Sequence, residues 1–182
     1  MVDQGRSIDL SAAIAAGNDD AIVAMIREAS DLSASRRPTA EDVRALLVET
    51  RSNRVRNAAA VALADLRADG AADAIVTLLR SPGAAANAGT LLFALDELGG
   101  SLPLDVLLTM IEHGSYEARS EALGFLAGDR LTTDDDGDLL DAGDRLDALA
   151  GASDPDMSRA AAEALERLRP YLDRVHGPGM SP

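Results

Sequence analysis

Apolar residues along this chain recur every three to four positions and nowhere alternate convincingly with polar ones, a pattern that predicts helices throughout. Val55, Ala59, Ala62, Leu63 and Leu66 form one apolar stripe, and Met157, Ala161, Ala164, Leu165 and Leu168 form another. A second amphipathic segment precedes each helix of this kind: Ala40–Thr50, Ala71–Arg80, Pro103–His113 and roughly Asp138–Ala150. Their apolar positions are Val43, Leu46 and Leu47; Ile75, Leu78 and Leu79; Val106, Leu107 and Ile111; and Leu139, Leu146 and Leu149. Breaks are expected at Arg51-Ser52, Ser81–Gly83, Gly114 and Ser153, and no sheet is expected anywhere. Asp154 before Pro155 reads as an N-cap followed by proline at the first helical position, where its missing N–H costs nothing.

The first 38 residues read as a separate helical hairpin and connector. Leu10–Ala16 and Asp19–Ser30 flank Gly17-Asn18, a helix-stop and helix-start signal, and Ile22, Met25 and Ile26 supply an apolar face. The polar stretch Ser33–Pro38 connects it onward, its proline biasing Arg37 away from helix. Pro170 should kink or stop the last helix, and residues 176–182 should form a disordered tail.

Four segments share one spelling, a charged helix start followed by Ala-rich turns that end in an apolar pair. The clearest runs Asp154-Pro155-Asp156-Met157-Ser158-Arg159-Ala160-Ala161-Ala162-Glu163-Ala164-Leu165. Ser52–Leu63 and Tyr116–Leu126 repeat it, and a degenerate copy ends Leu91–Leu98. Aligning Leu63, Leu95, Leu126 and Leu165 gives spacings of 32, 31 and 39 residues. This run resembles the inner helix of HEAT repeats, particularly the short type named after phycobilisome lyases, over about residues 39–170. The second copy departs from it at Asn87 and across Pro82–Gly89. The third admits a register on Leu123 instead of Leu126; the Leu126 register leaves Asp129 where Leu66 and Leu98 sit.

The resemblance implies an all-α fold: a right-handed α-solenoid of about four hairpins (39–68, 71–98, 103–128 and 138–175) behind an N-terminal helical-hairpin cap. It also implies that the inner helices line a concave binding face. By register that face presents Arg54, Asn57 and Val61, then Ala86, Gly89 and Phe93. Glu117, Ser120 and Gly124 follow, and Asp156, Arg159 and Glu163 close the series. Phe93 reads equally well as a core residue. Arg56 and Arg119 share one register position, with Arg159 one later. In HEAT-like stacks such arginines pair with acids or carbonyls of the adjoining unit; a ligand-facing basic ladder is the alternative.

Composition narrows the chemistry. The core must be built from Ala, Leu, Val and Ile, since the chain has 35 Ala but only two Tyr, two Phe and no Trp. Without cysteine there are no disulfides, thiolate nucleophiles or Cys-based zinc sites, and only His113 and His176 carry imidazoles. His113 falls at a helix end, where an imidazole favourably faces the carbonyls. The start lacks a secretory signal and no run is long and apolar enough to cross a membrane, so a soluble cytoplasmic protein is expected. A net charge of -14 disfavours nucleic acid, whose binding rests on basic residues. All 17 basic residues are arginine, which genomic base composition explains as well as any preference for guanidinium forks.

The densest local feature is the acidic cluster Asp129, Asp134, Asp135, Asp136, Asp138, Asp141 and Asp144. It fails as a calcium loop, because placing Gly137 sixth puts Thr132 first and Gly143 twelfth. It reads instead as a solvated acidic loop (Asp134, Asp135, Asp136, Asp138) whose last acids favour a helix N-terminus, with a partner-binding patch as the alternative. No catalytic constellation, metal site or cofactor fingerprint is visible. The expected function is a non-enzymatic scaffold, monomeric or weakly oligomeric, holding a protein or peptide on its concave face. The alternatives are an acidic inhibitor or immunity-like protein masking a basic partner, and a bilin-lyase-like chaperone or enzyme. The second of these is disfavoured by the few aromatics, and a comparison with HEAT-like DNA glycosylases fails for want of a basic, aromatic face.

Overall fold

A computed structural model describes residues 10–29, 38–128, 130–133 and 135–176, and in it the periodic segments are helices. In the N-terminal part these are α1 (Leu10–Ala15), α2 (Asp19–Ala29), α3 (Ala40–Glu49), α4 (Asn53–Asp65) and α5 (Ala71–Leu79). A single 3-10 turn, Ala85–Asn87, precedes α6 (Gly89–Glu97), α7 (Leu104–His113), α8 (Tyr116–Ala127), α9 (Asp136–Ala150) and α10 (Pro155–His176). Among the described residues the fold is all-α apart from one two-residue pairing.

Local chemistry sets the helix starts. Thr39 Oγ1 accepts the Asp42 N–H at 3.1 Å while the Asp42 carboxylate accepts the Thr39 N–H at 2.9 Å, a capping box that opens α3. Ser52 and Ser115 cap α4 and α8 by accepting the N–H groups of Val55 and Ala118. Asp154 accepts from Asp156 and Met157 at 2.9 and 3.1 Å, with Pro155 as the first residue of α10. Between α1 and α2, Gly17 turns the chain at φ +63° and Asn18 accepts the Ala21 N–H. All four expected breaks fall between helices.

The chain divides into two compact units, residues 1–74 and 75–182, with the division inside α5. In the first, α4 packs against both α2 and α3, and α1 against α2. Ile26, Val43, Leu47, Val55, Ala59 and Leu63 are fully buried there. In the second, α8 packs against α6 and α10, α7 against α9, and α7 and α9 in turn cover α8 and α10. Alternate helices therefore form two layers within this unit, whose buried core includes Leu91, Leu95, Leu107, Met110, Phe125 and Leu168.

Three expectations change. The chain is not free of sheet: Leu102–Pro103 (β1) pairs in parallel with Leu131–Thr132 (β2), the Leu102 N–H donating to the Arg130 carbonyl at 2.8 Å. The linkers after α6 and α8 run side by side, so their main chains satisfy each other. Pro170 does not stop the last helix, which continues to His176. Pro170 and Glu166, whose carbonyl loses its helical donor, are both exposed, so solvent replaces that bond. His176 accordingly belongs to α10; residues 177–182 of the expected tail, like 30–37 of the connector, lie outside the described residues.

The third change concerns the acidic loop. Asp136 and Asp138 form the first turn of α9, and Asp135 caps it by accepting the Gly137 N–H at 2.7 Å. Carboxylates favour the positive end of a helix, which draws the segment into helical form two residues earlier than expected. Asp134 and Asp129 lie outside the described residues.

Candidate functional site

In residues 75–182, α8 and α10 lie side by side and leave a groove of about 250 Å³ between them. Five of the residues assigned to a binding face line it: Ser120 and Gly124 from α8, and Asp156, Arg159 and Glu163 from α10. Their alignment follows from helical spacing, since positions three and four apart share one face. Glu117, in the first turn of α8, stands close against α6, where a Cβ on Gly89 would lie 3.2 Å from that of Glu117. Phe93, on the same helix as Gly89, is 44% exposed and does not join the core. Ala86 falls in the 3-10 turn before α6 and is exposed.

The remaining assigned residues belong to the first unit. Arg54 is exposed and pairs with Asp20 at 2.5 Å. Asn57 is half-buried, and its Oδ1 has no hydrogen-bond partner among the described residues. Val61 is half-buried on the same helix.

Arginines build the groove walls. Arg119 is only 13% exposed; its Nε donates to the Ile111 carbonyl at 2.9 Å, and its guanidinium lies 4.0 Å from Asp154. Asp154's carboxyl is held below the usual carboxylate range, first by the Met157 N–H and then by the Asp156 N–H and the Arg119 charge, against a desolvation cost. Arg159 pairs with Asp156 at 2.8 Å on the exposed rim. Arg167 pairs with Glu163 and donates to the Leu123 carbonyl at 2.7 Å, tying α10 to α8. Arg56, in the first unit, is half-buried, and burial lowers its pKa.

Two features escape the sequence. Tyr116, 68% exposed, stands at the groove's edge. Arg130 bonds the Asp96 carboxylate, the Asp96 and Gly100 carbonyls, and the face of the Phe125 ring at 4.8 Å. Neither belongs to the repeated apolar stripe, so the stripe cannot indicate them.

The groove is lined by no imidazole, and its charges stand in ion pairs, so it offers hydrogen bonding and surface shape to a ligand. His113 ends α7, 3.6 Å from Glu112. Among the described residues, no group of three or more His, Asp and Glu could hold a metal ion, and no helix is long and apolar enough to cross a membrane. No family model matches the chain, and neither the curated proteins nor the solved structures hold a significant match to it.

Proposed function

We propose that this chain is a non-enzymatic binding module that holds a partner protein or peptide along the face shared by α6, α8 and α10. The groove between α8 and α10 carries this reading, because residues picked by repeat register from helices some 40 positions apart line one concavity. The alternation of two helix layers in residues 75–182 supports reading them as successive HEAT-like hairpins of an α-solenoid. Exposed Phe93 and Tyr116 supply aromatic contacts of the kind enriched at interfaces.

Gly124 adds a second argument. It sits inside α8, where glycine costs roughly 1 kcal/mol relative to alanine. A Cβ there would meet nothing within 4 Å, so no packing within the described residues requires glycine. Close approach of a partner backbone gives it a use.

Random-peptide display against the intact chain tests the proposal. Selected peptides should lose about tenfold or more in affinity for Gly124→Arg and Arg159→Glu, and keep it for Val48→Asp on the first unit. Equal affinity for all three variants would sink the groove as the site.

A basic partner masked by this acidic chain is a second reading, favoured by one observation. Residues 75–182 hold 19 acids against 8 arginines, and α9 exposes Asp136, Asp138, Asp141, Asp144 and Asp147. Such a field speeds association with cationic surfaces at low salt. A cationic partner whose association rate is unchanged between low and high salt would remove this reading.

A further inference from the structure

A larger cavity, of about 560 Å³, opens among α7, α9 and β2 in the second unit, away from the groove. Its size falls within the roughly 300–1,000 Å³ of small-ligand sites. Leu104, Leu108 and Ala142 give it a nearly buried apolar floor.

The polar lining is unbalanced in one direction. Both guanidinium groups are matched: Arg80 donates twice to the Asp105 carboxylate, at 2.9 and 3.1 Å, and Arg145 pairs with Glu112. Two of the hydroxyls spend their protons on main-chain carbonyls, Thr109 on Asp105 at 2.8 Å and Thr133 on Asp135 at 2.9 Å. The carboxylates of Asp138 and Asp141, three residues apart on one face of α9 and both exposed, take part in no side-chain hydrogen bond or ion pair among the described residues. The cavity thus combines two uncompensated negative charges with spare acceptors above apolar carbon.

We propose that this cavity binds a guanidinium or ammonium group carried on an aliphatic stem, with the head between Asp138 and Asp141 and the stem on Leu104 and Leu108. An anion would meet the two carboxylates, and a ligand poor in donors would displace water from them without replacing its hydrogen bonds. A bare divalent ion would find only two carboxylates where hard cations take six or more oxygens. The head group can come from an arginine or lysine side chain of a polypeptide or from a free aliphatic amine. The inference does not rest on the α8–α10 groove.

Agmatine, spermidine and acetyl-Gly-Arg-Gly-amide, each titrated into the full chain and followed by amide NMR shifts, provide the test. At least one should give saturable shifts confined to residues 104–109 and 138–145. Asp138→Asn with Asp141→Asn should weaken that binding about tenfold or more. Asp144→Asn with Asp147→Asn removes the same charge from α9 at positions that do not line the cavity and should change it less than about threefold. Both double variants should keep the helical circular dichroism of the parent. Citrulline in place of the arginine should abolish peptide binding. Tighter binding of a free amine assigns the source to small cations, and tighter binding of the peptide assigns it to a polypeptide. No saturable shift up to about 10 mM of any probe, or equal weakening by the two double variants, overturns the proposal. Gly124→Arg should leave this binding unchanged, so failure here and failure of the groove are separable.

Discussion

Arg119, on α8, and Arg167, on α10, donate to main-chain carbonyls of another helix, at Ile111 and Leu123, and Arg130, in the linker before β2, donates to that of Asp96 in α6. The Ile111 carbonyl lies in the last turn of α7, where carbonyls lack helical donors, and the Asp96 carbonyl, at the end of α6, accepts the Gly99 N–H at 2.8 Å as well. A guanidinium can serve a carbonyl and a carboxylate together through its planar fork, which an ammonium cannot. Arg130→Ala should therefore cost about 1–3 kcal/mol in chemical denaturation, the lower part of that range reflecting its partly exposed pair with Asp96. Arg130→Lys should recover less than half of the loss; full recovery would show that charge alone matters. Gly124→Ala has the opposite expected sign, a gain of roughly 0.5–1 kcal/mol, because its Cβ enters open space on a helix. A loss instead would mean that Gly124 is under a constraint within the chain itself. At this scale the sequence is partly legible. Arg119 stands out because it repeats the register of Arg56, whereas Arg130 and Arg167 act on carbonyls 34 and 44 residues away, which no local pattern encodes.

Helix ends depend on neighbours within three or four residues, so caps such as Ser52, Ser115 and Asp154 can be read directly from the chain. The pairing of Leu102–Pro103 with Leu131–Thr132 cannot, since it requires two linkers to meet across the intervening α7 and α8. The first turn of α9 is hidden for a different reason: aspartates read as loop residues until the positive end of a helix is there to favour them. At α4, Ser52 both caps the helix and donates to Asp19 at 2.6 Å, linking it to the start of α2. Ser52→Ala should cost about 1–2 kcal/mol, and Ser52→Asn less, because its amide can cap and still donate. Ser52→Asp should be worse than Asn, since it brings a third carboxylate near Asp19 and Asp20; equal midpoints for Asn and Asp would refute the link. In α10, Pro170 removes a helical hydrogen bond at an exposed position. Pro170→Ala should raise both the helical dichroism and the melting temperature, by up to about 3 kcal/mol of stability. An unchanged melting temperature would mean that the turns beyond Pro170 contribute nothing to the folded state.

Charge is a property of the whole chain, and its pH dependence has two opposing parts. At neutral pH the net charge of -14 repels itself, and that repulsion fades as pH falls toward the isoelectric point near 4.4. Against this, Asp42, Asp105 and Asp154 have carboxyl groups held below their ordinary range. The first cause is the Thr39 hydroxyl for Asp42, the Arg80 guanidinium for Asp105 and the Met157 N–H for Asp154. A lowered folded-state value means that the unfolded chain binds more protons, so stability rises with pH through that range. The contribution is fully present above the unfolded carboxyl value near 4 and is lost as pH falls through the lower folded values. These pairs are largely exposed, so each is worth little alone, while the repulsion acts between many groups at once. Above pH 4 the repulsion should win, and below it the loss of the three carboxylates should win. In low salt the melting temperature should therefore be higher at pH 5 than at pH 7.5 and should fall steeply below about pH 3.5. Adding about 0.5 M sodium chloride, which shortens the screening length to a few ångströms, should raise the pH 7.5 value toward that at pH 5 while leaving the acid limb in place. A melting temperature that is flat from pH 5 to 8 in low salt, or that drops on adding salt at pH 7.5, would show that paired charges outweigh the acidic excess in this fold.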